Sequence, residues 1–257
     1  MKITSAQNDT VKLAASLHQK KYRDEEGLFL VEGPEMVSMA LQKKWELKYL
    51  FIRDGRAEFE IMFLGFKDKI VSVSDAVLEK ISKRDNPQPV IAVFHKRTQN
   101  DIPGVYEQPI LPALEEVRDP GNLGTIMRSC HALGLEYLVL IGNCCDAFAP
   151  ETIRASMGSF AAISLVTISE RAFLEWHAGH PKTSVIATDV DEAADYRRVR
   201  YDKAVLLMGN EQKGVSPGLK GICDQRAHIP MPGGTESLNV AIATTLLLYE
   251  AMRPSLV

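Results

Sequence analysis

The chain has 257 residues, of which 46% are hydrophobic and 25% are charged, and its formal net charge is −3. This composition is typical of a globular protein with a sizeable core, and the small net charge excludes a generic polycation. No apolar run approaches the roughly 20 residues of a membrane-spanning helix, and the N-terminus has no apolar stretch typical of a secretory signal. We therefore expect a cytoplasmic protein without a membrane anchor.

The cysteines and histidines argue against a metal centre. None of the four cysteines forms a C-x-x-C pair, and the six histidines show no metal-ligand spacing. Adjacent Cys144 and Cys145 are also poorly placed to bind one ion together. The pattern favours reduced thiols in a reducing compartment over a zinc site or a disulfide framework.

The first hundred residues predict a small α/β unit in which strands and helices alternate. Pro34 suits the first turn of a helix, and Ser74 is expected to cap another. The predicted helices span 7–21, 34–44 and 75–83, and the predicted strands are "GLFLVEG", "LKYLFI" and "PVIAVF". This part of the chain carries 17 Lys and Arg against 14 Asp and Glu. A mildly basic surface of this kind could contact phosphates, although so small an excess also arises by chance.

A polar segment with two prolines, 95–109, interrupts this pattern and predicts a linker at 97–108 between domains 1–96 and 109–257. After it, strands and helices alternate again, which predicts a mostly parallel sheet covered on both faces. Strands are predicted at 110–117, 135–142, 162–168, 184–190, 203–209 and 229–231, and helices at 125–134, 150–159, 169–178 and 238–252.

Three glycine-bearing loops follow predicted strands in the second domain, at 118–128, 206–218 and 229–243. Ligands of open α/β sheets bind in such loops, and glycine lets the backbone approach a ligand closely. The chain lacks a phosphate-binding P-loop, the dinucleotide-binding G-x-G-x-x-G fingerprint and the G-x-S-x-G turn of hydrolases. The familiar glycine-loop chemistries are therefore excluded.

The same three loops resemble the motifs of the SpoU (TrmH) family of RNA ribose 2′-O-methyltransferases. "DPGNLGTIMRSCHALG", "LLMGNEQKGVS" and "IPMPGGTESLNVAIA" occur in the family's order, and "IRASMGSF" resembles a segment between them. Four matches in register over about 140 residues form a specific signal. "FLVEGPEMV" and "NPQPVIAVF" resemble more loosely the substrate-binding extension of one branch of the family.

The resemblance implies an α/β fold: a trefoil-knotted, mostly parallel C-terminal sheet that follows a smaller N-terminal α/β substrate-binding domain. It implies S-adenosylmethionine as cofactor, RNA as substrate and a homodimer. The glycines and the Ser-Leu-Asn turn of 233–239 would form the knotted loop that surrounds the cofactor. Helix 238–252 would pack on the sheet and supply part of the dimer interface.

The resemblance also implies a set of catalytic residues: Arg128, Asn122, Glu211, Ser237 and Asn239. A guanidinium stays protonated at neutral pH, so we expect Arg128 to bind a phosphate and stabilise a developing alkoxide rather than act as a base. Asn122 would hold its turn and orient Arg128 or the ribose, and Glu211 would accept hydrogen bonds from the loop backbone or from Arg128. Ser237 could equally be the N-cap of the last helix.

Cofactor contacts are expected from Gly209, Ile229 and Leu238, with neighbours at Thr188, Met208 and Met231, although a methionine in such a position is often only core filler. Arg154 could reach RNA phosphate or simply lie on a solvated face. The basic clusters could also contact phosphates, although a solvated face is the more usual role of a charge run; they comprise Lys20, Lys21 and Arg23, and Lys80, Lys83 and Arg84.

The resemblance therefore implies a ribose 2′-O-methyltransferase, and the two-domain branch that the chain resembles implies ribosomal RNA as its substrate. Transfer RNA is the alternative substrate. Two other classes stay open: an RNA-binding protein that kept the fold and lost catalysis, and an α/β protein that binds a small molecule without an RNA role. Single-stranded or looped RNA is the expected target, because A-form grooves hide the base edges.

Overall fold

The computed structural model describes residues 2–97, 101–102, 108–188 and 194–256. The described chain divides into two compact units. The first unit contains the described residues of 2–97 together with Asp146–Ala162. The second unit contains the described residues of 101–145 and 163–256. Most of the predicted linker at 97–108 lies outside the described residues. The predicted division into 1–96 and 109–257 stays a prediction.

The first unit is built on a mixed five-stranded sheet with the order β1-β4-β3-β5-β2. Strands β1, β3 and β4 run parallel, whereas β5 pairs antiparallel with both β3 and β2. The strands are β1 Lys2–Ile3, β2 Leu28–Glu32, β3 Leu47–Arg53, β4 Ile70–Val73 and β5 Val90–His95. The helices are α1 Asp9–Ser16, α2 Lys20–Glu26, α3 Pro34–Gln42, α4 Ala57–Met62 and α5 Asp75–Ser82, with α7 Pro150–Ala155 from the later segment.

The segment Asp146–Ala162 packs into the first unit through aromatic rings and a hydrogen bond from a buried indole. Phe148 and Phe160 lie 4.8 Å and 5.7 Å from the ring of Phe29, centroid to centroid. The Trp45 indole N–H donates to the carbonyl of Ala161 at 3.1 Å. Clustered aromatic rings bury a large apolar area, and each ring pair adds a directional contact. The segment is therefore an integral part of this unit's core, although sequence order alone separates it from the unit's other elements.

The second unit contains a fully parallel sheet with the order β10-β12-β9-β11-β6-β7-β8 among the described strands. The strands are β6 Ile110–Glu115, β7 Tyr137–Ile141, β8 Ser164–Ile168, β9 Ser184–Thr188, β10 Ala194–Asp195, β11 Ala204–Met208 and β12 Gln225–His228. The helices are α6 Pro120–Ala132, α8 Glu170–Ala178, α9 Pro217–Lys220 and α10 Val240–Met252. The mostly parallel α/β sheet expected from the sequence is confirmed. The knot stays a prediction.

Several predicted elements have different limits in the structure. The predicted helix 7–21 is two helices, α1 and α2, separated by a turn at Leu17–Gln19. The Leu13 carbonyl accepts a hydrogen bond from the Ser16 hydroxyl, and the Leu17 N–H bonds Ala14 instead of Leu13, so the helical pattern ends there. Ser74 stands at the start of α5 but makes no capping bond. No strand forms at 229–231, since the strand ends earlier at His228. No helix in the described part of the chain is long and apolar enough to cross a bilayer.

Candidate active site

The three glycine-bearing loops lie at one edge of the second unit's sheet. β12, β9, β11 and β6 are neighbours in that order and run parallel, so their carboxyl ends meet at the same edge. The chain leaves β6 towards α6, leaves β11 through 209–216, and leaves β12 through 229–239. We call these three segments the post-β6, post-β11 and post-β12 loops. This edge is where open parallel sheets bind ligands.

A continuous row of hydrogen bonds joins the three loops through Asn122. Its side-chain amide donates to the Glu211 carboxylate at 3.0 Å, and its carbonyl oxygen accepts from the Asn239 side chain at 2.9 Å. The amide is thus satisfied on both sides by residues 89 and 117 positions away in the chain. Asn122 lies in the first turn of α6, whose N-cap is Asp119, rather than in a free turn before the helix. Three of the predicted catalytic residues are therefore in direct contact.

Asn239, and not Ser237, caps the last helix. Its side-chain oxygen accepts from the backbone N–H groups of Ala241 and Ile242 at 2.9 Å and 3.3 Å. The same side chain donates to Asn122, so the cap also fixes the direction of the amide group. The capping role proposed for Ser237 is wrong, because α10 begins two residues later than that role requires. Ser237 is exposed, and its place in the active site stays a prediction.

The post-β11 loop turns back sharply on itself. Asn210 and Gly214 exchange backbone hydrogen bonds at 3.1 Å and 2.9 Å, which brings Gly214 against Gly209. A Cβ atom on Gly209 would lie 2.2 Å from the carbonyl carbon of Gly214. Only glycine fits at position 209, because both clashing groups belong to the backbone. The exposed tip of this turn presents Glu211 to Asn122.

Arg128 lies in the third turn of α6 with its side chain exposed. Among the described residues its guanidinium has no ion pair and no hydrogen-bond partner. An arginine without an internal partner keeps all five N–H donors available for phosphate or hydroxyl oxygens. The bond expected between Arg128 and Glu211 is absent from the described contacts, since Glu211 bonds Asn122.

The predicted cofactor residues lie at the same edge of the sheet. Thr188 ends β9 and Met208 ends the neighbouring β11, while Ile229 follows β12 directly. Met208 is buried, whereas the side chains of Ile229, Met231 and Leu238 are only partly buried. Partly exposed apolar side chains at such an edge are typical of the walls of a ligand site, and the cofactor contacts of these residues stay a prediction.

His228 was not assigned a role from the sequence. It ends β12 immediately before Ile229, and its Nδ1 atom is buried without a hydrogen-bond partner among the described residues. Buried polar atoms in proteins nearly always find a partner, so this atom indicates a ligand or water contact near the post-β12 loop. Only the tertiary structure reveals it, since a histidine in a strand carries no such signal in the sequence.

Three of the four cysteine thiols are not prepared for covalent catalysis. Burial raises the pKa of the Cys130 thiol to about 12, and it raises the pKa of Cys144 and of Cys223 to about 11. A nucleophilic cysteine needs a lowered pKa, so these three thiols are inert at neutral pH. The described residues also contain no group of three or more His, Cys, Asp or Glu side chains that could hold a metal ion.

The predicted RNA contacts of the first unit fall into two groups. Arg23 is buried: its guanidinium bonds the Asp146 carboxylate at 2.6 Å and 2.9 Å and the Leu17 carbonyl at 2.7 Å. All its principal donors point inward, so the predicted phosphate contact of Arg23 is wrong. Lys20 and Lys21 are exposed, and Arg154 is partly exposed beside Glu151 at 3.7 Å. These three stay candidates for RNA binding.

Comparison with known proteins covers both units. A family model described as the SpoU rRNA Methylase family matches residues 109–249, and one described as an MRM3-like substrate binding domain matches residues 8–92. The chain is also 30% identical to a 23S rRNA (uridine(2479)-2′-O)-methyltransferase of Streptomyces viridochromogenes, over 98% of this chain and 92% of that protein.

The chain belongs to the SpoU methylase family. A second relative of this SpoU protein is the 23S rRNA (guanosine(2553)-2′-O)-methyltransferase RlmP of Bacillus subtilis, 30% identical over 96% of this chain and 97% of that one. Among solved structures, the AdoMet-bound rRNA methyltransferase from Sinorhizobium meliloti matches with a TM-score of 0.90 and 37% identity. That match covers 99% of this chain and 98% of the other. Both units therefore have counterparts in one known architecture.

Replacing Asn122 with Asp tests the row of hydrogen bonds in this SpoU protein. The new carboxylate would face Glu211 where an amide N–H now donates, and two like charges in contact repel. We expect methyl transfer to fall about 10- to 100-fold, the effect of losing a hydrogen bond to a charged group. Steady-state rates with saturating RNA and methyl donor measure this loss.

The double variant Asn122→Asp with Glu211→Gln provides the control. It restores an amide donor opposite a carboxylate with the two side chains exchanged. Partial recovery of the rate, relative to Asn122→Asp alone, is expected. A double variant no faster than the single one would show that the contact between these side chains does not matter for catalysis.

Proposed function

We propose that the protein is an S-adenosylmethionine-dependent RNA ribose 2′-O-methyltransferase and that its substrate is ribosomal RNA. The observation that carries the proposal is the hydrogen-bonded row Glu211–Asn122–Asn239, which ties the three SpoU motif loops together. Arg128 lies on the same helix as Asn122, and among the described residues its exposed side chain has no ion pair or hydrogen bond. The relatives support the substrate class, because both curated proteins compared above are named as 23S rRNA 2′-O-methyltransferases.

The site fits S-adenosylmethionine. Partly buried Ile229, Met231 and Leu238 would pack on the adenine, and backbone groups around Gly209 would bond its edge. The buried Nδ1 atom of His228, next to Ile229, has no hydrogen-bond partner in the described part of the chain and could bond a polar atom of the cofactor. Bound S-adenosylmethionine supplies an electrophilic methyl group on a sulfonium, so the protein's main task is to position the acceptor hydroxyl.

Arg128 would position the RNA and stabilise charge. Its exposed guanidinium can bond the phosphate next to the target ribose and hold the 2′-hydroxyl in line with the methyl group. As that hydroxyl loses its proton, negative charge grows on the oxygen, and a fixed cation nearby lowers the energy of this state. The Glu211–Asn122–Asn239 row keeps the first turn of α6, and with it Arg128, in a constant position relative to the loops.

The first unit would bind RNA through phosphates. Lys20 and Lys21 at the start of α2 and Arg154 on α7 are its candidate contacts. The match of this unit to a substrate-binding domain supports that role. We also propose a cytoplasmic location, because the proposed substrate is ribosomal RNA.

The function is tested by incubating the protein with unmodified ribosomal and transfer RNA and with S-adenosylmethionine carrying a labelled methyl group, followed by alkaline digestion. A 2′-O-methyl group blocks cleavage at its own nucleotide, because that hydroxyl is the internal nucleophile. Label in alkali-resistant dinucleotides from ribosomal RNA is the expected result. Label from transfer RNA alone would overturn the substrate, and cofactor binding without transfer to either RNA or to ribosomal precursors would favour the non-catalytic reading.

A homodimer is part of the proposal, and α10 provides the surface for it. Ile242, Leu246 and Tyr249 are 53%, 39% and 46% exposed and lie four and three residues apart, so they form one apolar stripe. Exposed apolar stripes on helices usually mark an interface. The resemblance to the SpoU family suggests a second copy of this chain as the occupant.

Replacing Leu246 with Lys should dissociate this dimer. A lysine in the middle of the stripe would be buried without a partner on association, which costs several kcal/mol. Light scattering should then report 28.5 kDa in place of twice that mass. Ile61→Lys, at an apolar residue 73% exposed in the first unit, is the matched control and should stay dimeric. A mass of 28.5 kDa for the wild-type protein would contradict the proposed dimer.

A further inference from the structure

Two acidic residues at the end of β6 hold both ends of the post-β11 loop. The Asn210 side chain donates to the backbone carbonyl of Glu116 at 2.9 Å. At the other end, the Ser216 backbone N–H donates to the Glu115 carboxylate at 2.8 Å. The loop is thus attached to the neighbouring strand before and after the turn that contains Glu211.

The carboxylate of Glu115 is unusual in being buried, with an exposure of 5%. It lies at the end of a strand whose alternate residues Leu111 and Ala113 point into the unit's apolar core. A buried acid is costly unless its oxygens are bonded, and a backbone N–H bonded to a carboxylate is one of the stronger hydrogen bonds. Among the described contacts, the hydrogen bond from Ser216 is the one that compensates the burial of this carboxylate.

The Ser216 end of the loop is also held from a second direction. Its hydroxyl donates to the Glu170 carboxylate at 3.4 Å, and that carboxylate is so close to Gly218 that a Cβ there would meet it at 2.3 Å. Ser216 is the N-cap of α9, where its φ is −61°. The backbone of this residue therefore has little freedom to move while both acids are in place.

We infer that Glu115 is a positioning residue that sets the post-β11 loop for cofactor binding and catalysis. This rests on the proposed methyltransferase function, because the loop carries Gly209 towards the cofactor and Glu211 towards Asn122. Without the Glu115 bond, the α9 side of the loop loses its backbone attachment to β6 and keeps the longer 3.4 Å contact between the Ser216 hydroxyl and Glu170. Gly209 and Glu211 then move relative to the other two loops, while the rest of the sheet keeps its own hydrogen bonds.

The test compares Glu115→Met, Glu115→Gln and a matched control. Methionine has a similar length and suits the apolar surroundings but cannot accept the Ser216 bond, whereas glutamine keeps an acceptor oxygen. Asp224 is the control, because its carboxylate accepts the backbone N–H of Val185 at 2.8 Å near the opposite end of the sheet. Asp224→Leu thus removes the same kind of bond away from the loops. The dissociation constant of S-adenosylmethionine, kcat on RNA and Tm are measured for each.

For Glu115→Met we expect the dissociation constant to rise about tenfold and kcat to fall by a similar factor, the size expected for a lost charge-assisted bond. Glu115→Gln and Asp224→Leu should stay within about twofold of wild type in both quantities. A Glu115→Met protein with a lower Tm but unchanged binding and kcat would overturn the inference, since Glu115 would then only stabilise the fold.

If Glu115→Met does not fold, Ser216→Pro removes the same bond from the donor side, and the φ of Ser216 already suits proline. Ser216→Ala, which keeps the N–H, is its control. We expect Ser216→Pro to bind S-adenosylmethionine about tenfold more weakly than the wild type and Ser216→Ala to bind it as the wild type does. Equal binding by the two variants would overturn the inference. Failure of the proposed function is a separate result, in which the wild type binds cofactor but methylates no RNA.

Discussion

Replacement of Arg128 with Ala should lower methyl transfer by about 10²- to 10³-fold, which is the typical effect of removing one group that stabilises transition-state charge. The dissociation constant of S-adenosylmethionine should stay within about twofold, because the exposed guanidinium makes no hydrogen bond or ion pair with the described residues that would hold the cofactor. Single-turnover rates with bound RNA, together with calorimetric cofactor binding, measure the two quantities separately.

The control for Arg128 is Arg171, an exposed arginine on α8 paired with Glu175 at 3.0 Å. Arg171→Ala should change neither quantity. Arg128→Lys should recover only part of the rate, since a single ammonium lacks the planar pair of donors that a phosphate accepts. If Arg128→Ala transfers the methyl group as fast as the wild type, Arg128 does not stabilise the transition state and its assignment to the active site is wrong.

Replacement of Gly209 with Ala should abolish measurable cofactor binding at concentrations that saturate the wild type. The added methyl group would lie 2.2–2.5 Å from backbone atoms of Gly214 and Val215. Backbone cannot yield as a flexible side chain does, so the whole post-β11 loop must move. A forced insertion of this kind also costs about 1–3 kcal/mol of stability, and Tm should fall accordingly.

Gly233 in the post-β12 loop is the matched control, because a Cβ there meets no atom within 4 Å. Gly233→Ala should leave Tm unchanged and cofactor affinity within about threefold of wild type. A Gly209→Ala protein that binds S-adenosylmethionine normally would show that the loop tolerates another path and that the cofactor does not depend on its shape.

The contrast between Arg23 and Lys20 shows where reading of the sequence failed. Both belong to one basic cluster, and nothing in their spacing separates them. Arg23 is buried because α2 turns that side towards Asp146, a residue 123 positions later. An ion pair between residues so far apart in the chain leaves no signal in the local sequence. The exposure of Lys20 is what a charged surface residue is expected to show in any case.

The two candidates for the last helix cap differ for a similar reason. Ser237 and Asn239 are both good capping residues by type, and the glycines before them allow several backbone paths. Asn239 takes the position because its amide can cap α10 and bond Asn122 at the same time. Ser237 lies two residues before this N-cap, and its hydroxyl makes neither bond among the described contacts.

The sequence by itself determined the alternation of strands and helices, the parallel sheet and the SpoU motifs, because these depend on local periodicity and on short runs of residues. Only the tertiary structure decided that Asp146–Ala162 belongs to the first unit's core, that Asn122 bonds both Glu211 and Asn239, and that Glu115 reaches Ser216. Each of these contacts joins residues about 90 or more positions apart. Chain folding brings such residues together through burial and hydrogen bonding, and neither leaves a periodic trace in the order of the amino acids.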